Sequence, residues 1–323
     1  HYLLDRYPAY SVINLDKLTY AGNPGNLAAV ESDPRYRFVL GDICDSAIVD
    51  PLVREADAVV NFAAESHVDR SILGGVEFVQ TNACGTCVLL ESARQHGVER
   101  FHQISTDEVY GSIDDGAWTE EWPLAPRNPY SATKASAELM VRAYHITHGL
   151  PVVTTRASNN IGPYQYPEKL IPLFITNLME DCPVPIYGDG QQIRDWLYVI
   201  DHCSAIRCVL EAGQVGEMYN IGGYNEMTNL EVVNTICSIL DELKPRLDGA
   251  SYKSQIKFVK DRLGHDKRYA INATKIEKNL KWRPSETFET GIQKTIKWYL
   301  DHQDWVTNIT NRDYDSWVAK HYT

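Results

Sequence analysis

The stretch Phe101-His102-Gln103-Ile104-Ser105-Thr106-Asp107-Glu108-Val109-Tyr110-Gly111 joins a strand pattern to a cluster of reactive side chains. Residues 101–105 predict a short strand, and a hydroxyl group and two carboxyl groups follow at its end. In open parallel sheets, ligands bind beyond the carboxyl ends of the strands. Adjacent carboxyl groups there can acquire different pKa values and act as acid and base. The stretch therefore predicts an α/β fold with a site at the sheet edge, although Asp107 and Glu108 alone also fit a turn.

A second stretch, Tyr130-Ser131-Ala132-Thr133-Lys134, places a phenol and an amine four residues apart. On a helix the two side chains project from the same face, one turn apart. Pro129 at the entry and the good helix formers after it favour a helix here. An ammonium group beside a phenol lowers the phenol pKa from about 10, which makes the phenol a usable base. A pair with this spacing also occurs on ordinary solvated helices.

Composition and charge limit the possible functions. The 323 residues, 44% hydrophobic and 23% charged, are enough for two fused lobes that share one active site. A net charge of −12 disfavours nucleic acid and anionic membranes as partners, but a local arginine can still bind a diphosphate. No run is long enough to span a membrane and no signal peptide is present, so we expect a cytoplasmic protein.

The seven cysteines are an odd number and lack the spacing of a disulfide framework, which indicates reduced thiols. Cys84 and Cys87 form a C-x-x-C within a predicted helix, and no second Cys or His pair completes a zinc set. We expect small buried residues at both positions and no metal site.

The N-terminal part predicts parallel strands over residues 11–15, 37–43 and 57–64, the last continuously apolar as in a doubly covered sheet. An acid at a strand end, here Asp16, binds the adenosine ribose of a dinucleotide about twenty residues after a glycine loop and favours NAD over NADP. Counting back from Asp16 passes the first residue. We therefore expect the first strand and its glycine loop to lie outside this sequence.

The order of strand, STDEVYG, roughly twenty residues and PYSATK resembles the nucleotide-sugar branch of the extended short-chain dehydrogenase/reductase family. Within that branch, Thr106-Asp107-Glu108 in series resembles the dTDP-glucose 4,6-dehydratases, because sugar 4-epimerases lack both acids. The resemblance extends from residue 16 to about residue 298. It implies a Rossmann-type doubly wound parallel sheet in residues 1–156 and a smaller mixed α/β lobe mainly in residues 157–323, with some segments returning to the sheet.

The resemblance also implies binding residues for NAD and for dTDP-glucose. The residues implied for NAD are Asp16, Lys17, Leu18, Thr19, Asp42, Ile43, Phe62, Ala63, Ala64, Ser66, Thr81, Tyr130, Lys134 and Asn160. The residues implied for the sugar nucleotide are Ser66, Thr106, Asn159, Glu168, Lys169, Leu170, Pro185, Tyr187, Arg194, Asn229, Arg262 and His265. Tyr187 and Arg194 suit a base and a diphosphate, although residues 185–196 also fit a plain hairpin. His67 is expected to be structural.

The implied reaction converts dTDP-glucose to the 4-keto-6-deoxy sugar. Tyr130, assisted by Lys134, takes the proton of the 4-hydroxyl group that Thr106 orients. Glu108 then removes the C5 proton, and protonated Asp107 donates to the departing 6-hydroxyl group. The helices near 78–96 and 130–148 are expected to form a homodimer through a four-helix bundle. The alternatives are another NAD-dependent nucleotide-sugar epimerase or decarboxylase, and a non-catalytic sugar-nucleotide-binding relative.

Overall fold

The computed structural model describes residues 1–261 and 264–309. In these ranges the chain forms parallel and mixed β-sheets covered by helices. The strands are β1 (Val12–Asp16), β2 (Tyr36–Leu40), β3 (Ala58–Asn61), β4 (Arg100–Thr106), β5 (Val152–Ala157), β6 (Asn159–Ile161), β7 (Val184–Tyr187), β8 (Ile193–Tyr198), β9 (Met218–Ile221), β10 (Glu226–Thr228) and β11 (Ile256–Val259).

The helices alternate with these strands. They are α1 (Tyr2–Arg6), α2 (Ser46–Glu55), α3 (Val68–Leu73), α4 (Val76–Phe78), α5 (Thr86–His96), α6 (Pro129–His148), α7 (Leu170–Met179), α8 (Val199–Ala212), α9 (Asn229–Leu243), α10 (Thr274–Leu280), α11 (Phe288–Asp301) and α12 (Gln303–Ile309). A π-helical segment, Val79–Gly85, joins α4 to α5. The predicted helices near 78–96 and 130–148 are therefore present, the second with a capping box between Asn128 and Ser131.

The main sheet has the parallel order β3-β4-β5-β9. Val152 of β5 packs with α5 and α6 on one face of the sheet, whereas the next residue, Val153, packs with α8 and α10 on the other. Since successive strand residues point to opposite faces, helices cover both faces of this sheet. The predicted doubly wound α/β architecture is confirmed.

The strands β1 and β2 form a separate parallel pair. No hydrogen-bonded ladder joins them to β3 in the described residues, and a cleft lies between β1 and β3.

The second lobe contains two small sheets, β10-β8-β6 and β11-β7. A single apolar core joins α7, α9 and α11 to these strands. The strands β7 and β8 lie in different sheets, β7 parallel to β11 and β8 between β6 and β10. The hairpin interpretation of residues 185–196 is therefore wrong, because each strand finds a distant partner instead of its neighbour.

Two further expectations concern cysteines and membranes. Cys84 is exposed and Cys87 is half-buried, so the prediction that both are buried is wrong for Cys84, which lies on the outer side of the π-helical segment. Within residues 1–261 and 264–309, no helix is both long and apolar enough to cross a membrane. The same ranges contain no cluster of His, Cys, Asp or Glu arranged to hold a metal ion.

Candidate active site

The carboxyl end of β4 presents Thr106, Asp107 and Glu108 in a tight turn. The chain leaves the strand into a single 3₁₀ turn, and Thr106 caps it by accepting a hydrogen bond of 3.3 Å from the Glu108 amide. Gly111 ends the turn with φ 79°, and a Cβ atom there would lie 2.5 Å from the Ala125 carbonyl oxygen. Glycine is therefore required to close the turn that fixes the two acids.

Asp107 is buried, and this changes its acidity. Burial, followed by repulsion from Glu108 and Asp195, raises the pKa of Asp107 to about 8. Arg194 and a hydrogen bond from Thr106 oppose the rise. At neutral pH Asp107 is therefore mostly a neutral acid that can donate a proton. Glu108, by contrast, lines an open cavity.

Tyr130 and Lys134 lie in the first turns of α6, and both are buried. Lys134 Nζ donates a hydrogen bond of 2.7 Å to the Ile104 carbonyl oxygen of β4. Burial lowers the pKa of Lys134 to about 8, and Glu138 opposes this shift.

The expected lowering of the Tyr130 pKa is not present in this structure. Burial raises the pKa of the phenol, and the negative charges of Glu108 and Asp107 raise it further. A hydrogen bond with Thr106 lowers the pKa of the phenol and so partly opposes these effects. The sequence prediction was wrong here because it considered the neighbouring amine but not the burial and the two acids.

A cavity between the two lobes brings most of the predicted substrate residues together. Those that line it are Ser66, Asn159, Lys169, Leu170, Pro185, Tyr187, Arg194, Asn229 and His265, and the predicted catalytic residue Glu108 lines it too. Its volume of about 160 Å³ is below the roughly 300 Å³ at which small-molecule clefts usually begin. Thr106 lies behind Glu108, and Arg262 lies outside the described residues.

Arg194 lines this cavity and is held by contacts that the sequence did not reveal. Its guanidinium carbon lies 4.2 Å from the centre of the Tyr269 ring, and Nη2 donates a hydrogen bond of 2.9 Å to the Asp266 carbonyl oxygen. Tyr269 also lines the cavity, and its hydroxyl group donates to the Asp266 carboxylate. No motif marks Tyr269, because it reaches the site only through tertiary packing.

Glu168 is placed differently from the prediction. Its buried carboxylate accepts a hydrogen bond of 2.8 Å from Tyr20 and contacts Arg70 at 3.3 Å, and it does not line the cavity. Lys169 donates to the Ser66 carbonyl oxygen at 2.8 Å. His67 caps α3, as its expected structural role requires, although its ring also borders the cavity. Glu168 therefore contacts Tyr20 and Arg70 and does not line the cavity.

The cleft between β1 and β3 collects most residues predicted to bind the dinucleotide. They are Asp16, Lys17, Thr19, Asp42, Ile43, Phe62, Ala63, Ala64 and Thr81. The cleft holds about 420 Å³, and the Phe62 side chain in its wall is 58% exposed. An open apolar wall next to strand-end carboxylates fits an adenosine group.

Five of the predicted dinucleotide residues do not line this cleft, namely Leu18, Ser66, Tyr130, Lys134 and Asn160. Asn160 Oδ1 accepts a hydrogen bond of 2.9 Å from His202 Nδ1, and the backbone amide of Leu18 donates one of 2.8 Å to Asp16 Oδ1. The predicted contacts of these five residues with a dinucleotide stay predictions.

Comparison with known proteins places the chain in a family. The family model described as GDP-mannose 4,6 dehydratase matches residues 1–295. The chain is 53% identical over 315 residues to a dTDP-glucose 4,6-dehydratase of Xanthomonas campestris pv. campestris, covering 94% of this chain and 90% of that protein. It is 51% identical to dTDP-glucose 4,6-dehydratase 1 of Escherichia coli (strain K12), covering 97% and 92% of the two chains.

Among solved structures, the dTDP-glucose 4,6-dehydratase of Streptomyces venezuelae, crystallised with NAD and dTDP, superposes with a TM-score of 0.90. The two sequences are 49% identical, and the superposition covers 95% of this chain and 94% of the other. At this identity and coverage, the chain belongs to the GDP-mannose 4,6 dehydratase family and, within it, to the dTDP-glucose 4,6-dehydratases.

Proposed function

We propose that the protein dehydrates dTDP-glucose to dTDP-4-keto-6-deoxyglucose with NAD as its cofactor, as a step of deoxysugar biosynthesis. The family membership supports the reaction, and the two adjoining cavities support the two ligands. The observation that carries the proposal is the different environment of two neighbouring acids. Asp107 is buried with a pKa of about 8, and Glu108 faces the substrate cavity.

This pair of acids suits an elimination. Removal of water across C5 and C6 requires a base for the C5 proton and an acid for the departing 6-hydroxyl group. Glu108 takes the C5 proton from within the cavity. Asp107, which is neutral at working pH, donates its proton to the leaving oxygen and is left as the anion.

The oxidation that precedes the elimination involves Tyr130 and Thr106. Tyr130 accepts the proton of the 4-hydroxyl group, and Thr106 orients that group by a hydrogen bond. The ammonium group of Lys134 stabilises the phenolate form of Tyr130 that takes up this proton, a form that burial alone disfavours. NAD held in the cleft between β1 and β3 would supply the hydride acceptor for C4 and the hydride donor for C6.

The same proposal assigns the walls of the cavities to the parts of each ligand. Asp16, Asp42 and Ile43 hold the adenosine end of NAD in the cleft between β1 and β3. Tyr187 stacks on the thymine base, and Arg194 binds the diphosphate. These roles are proposed from position and chemistry, as is the division of the chain near residues 156 and 157.

We also propose that the protein is a homodimer. Leu139 and Ile146, on the outer face of α6, are 55% and 68% exposed, and Val76 and Val79 beside α5 are also exposed. Such an apolar stripe on two adjacent helices fits a four-helix interface between two copies. A cytoplasmic location suits the seven cysteines, which are all free thiols.

The test is proton NMR of dTDP-glucose incubated with the NAD-loaded protein in deuterium oxide. A new C6 methyl signal together with deuterium at C5 is expected, because the C5 proton exchanges with solvent during elimination. Unchanged substrate from NAD-loaded protein would overturn the proposal. UDP-sugars tested in parallel would then distinguish an epimerase from a binding protein.

A further inference from the structure

A buried ion pair lies two helical turns after Tyr130, the proposed base, along α6. Arg156 of β5 and Glu138 of α6 are 2% and 4% exposed. Arg156 Nε donates to both oxygens of the Glu138 carboxylate, at 3.1 and 3.0 Å, and Nη2 donates to Oε2 at 2.5 Å. This bidentate geometry fixes the position of the carboxylate.

The pair continues a stripe along one face of α6. Tyr130, Lys134 and Glu138 follow one another at intervals of four residues, so each lies one helical turn after the previous one. Lys134 is 5% exposed and is anchored to β4 through the Ile104 carbonyl oxygen. Glu138 therefore lies one helical turn after a buried ammonium group, whose charge the hydrogen bond to one carbonyl oxygen stabilises poorly.

The charged groups around this stripe have distinct partners. The negative charges of Glu108 and Asp107, from the turn after β4, raise the pKa of Tyr130. Arg156 acts on Glu138 and on Tyr110, whose hydroxyl group accepts from Nη1 at 2.5 Å and donates to Asn220 at 2.9 Å. Among the described residues, Glu138 is the charged group that favours the ammonium form of Lys134, opposing burial. In β4, His102 is turned toward Thr155.

We propose that Glu138 is a positioning residue of the active site, held in place by Arg156, whose carboxylate keeps Lys134 charged and so makes Tyr130 an effective base. The inference rests on the proposed function in assigning that role to Tyr130. Without the carboxylate, Lys134 loses its proton at a lower pH, and the phenolate of Tyr130 loses its counter-charge. The competing explanation is that the ion pair only packs the interior, where apolar side chains often replace such pairs without loss.

Two variants separate these explanations. Glu138→Gln removes the charge but leaves the buried Arg156 unpaired, which can unfold the protein. The double variant Glu138→Gln/Arg156→Met removes both charges and provides a folded protein without the carboxylate. Glu217→Gln is the matched control, because Glu217 forms an ion pair of 2.6 Å with Lys275 at the surface.

The measurement is a titration of Lys134 by carbon NMR of protein labelled at lysine Cε, with the signal assigned through Lys134→Met. The double variant is expected to lower the pKa of Lys134 from about 8 by about one unit, and so to slow C4 oxidation about twofold at pH 7 and about tenfold at pH 9, with an unchanged KM. The control is expected to match wild type. A Lys134 titration that is unchanged in the double variant would overturn the inference. The titration needs no sugar nucleotide, so failure of the proposed reaction would leave this test intact.

Discussion

Thr106 donates a hydrogen bond of 3.2 Å to Asp107 Oδ1, while Asp107 Oδ2 is buried and has no hydrogen-bond partner in the described part of the chain. A carboxylate would leave that oxygen unsolvated, whereas a protonated carboxyl group keeps a hydrogen that it can donate to a substrate. The pKa of about 8 has the same origin. In the proposed mechanism, the carboxyl group of Asp107 therefore holds the proton that the leaving group accepts.

Asp107→Asn is expected to slow the elimination about a hundredfold or more while C4 oxidation continues, because the amide matches the carboxyl group in shape but cannot transfer a proton. Single-turnover absorbance at 340 nm measures the oxidation, and the C6 methyl signal in NMR measures the elimination. The exposed Asp114→Asn is the control. Equal losses in both steps would contradict the assignment of the acid to Asp107.

The same substitution is expected to stabilise the protein at pH 8. The pKa of Asp107 is about 8 in the folded state and 3.8 when unperturbed, so the folded state binds more protons between these values. The contribution of Asp107 to the free energy of unfolding is fully present below about pH 4 and is lost as the pH rises through 8. Urea unfolding at pH 5 and pH 8 is therefore expected to show a smaller loss of stability in Asp107→Asn than in wild type. The same loss in both proteins would contradict the raised pKa.

For His102, stability depends on pH in the opposite direction. Its ring is buried in β4 with Nε2 3.0 Å from Thr155 Oγ1, and burial lowers the pKa to about 3 from 6.5. The unfolded state then binds more protons between these values, so stability is lost as pH falls from 6.5 toward 3. His102→Asn is expected to flatten this slope, measured by urea unfolding between pH 4 and 6.5. A slope as steep as that of wild type would show that other groups dominate the acid transition.

The interface prediction concerns Ile146, which is 68% exposed on α6. Ile146→Asp places a charge on the proposed dimer surface and is expected to give monomers in size-exclusion chromatography with light scattering. Val215→Asp is the control, because Val215 is another exposed aliphatic residue, at 42%, outside α5 and α6. Wild-type protein that is monomeric at micromolar concentration would contradict the proposed dimer.

The sequence predicted elements whose signals are local. The apolar run of β3, the strand over residues 101–105 and the start of α6 at Pro129 each depend on neighbours in the chain, and the structure contains all of them. Strand partners were less predictable. The strands β7 and β8 are close in sequence, yet each pairs with strands that the chain forms far away.

The site itself was predictable in position but not in its electrostatics. The spacing of Tyr130 and Lys134 correctly indicated a shared helix face, but it did not reveal that burial raises the phenol pKa. Glu168 carries no local signal of its contact with Tyr20, which lies 148 residues away in sequence. Burial and long-range pairing are properties of the assembled core, so a reading of neighbouring residues misses them.

The last prediction tests the diphosphate site at Arg194. This guanidinium group is fixed between the Tyr269 ring and the Asp266 carbonyl oxygen at the floor of the cavity. Arg194→Met is expected to weaken dTDP binding by about 1.5–3 kcal/mol, the range for a hydrogen bond to a charged group, and to leave thymidine binding unchanged. Calorimetry with both ligands measures this, and Arg268→Met, which removes a surface ion pair with Glu226, is the control. Equal losses for dTDP and thymidine would place the diphosphate elsewhere, because thymidine has no phosphate for Arg194 to bind.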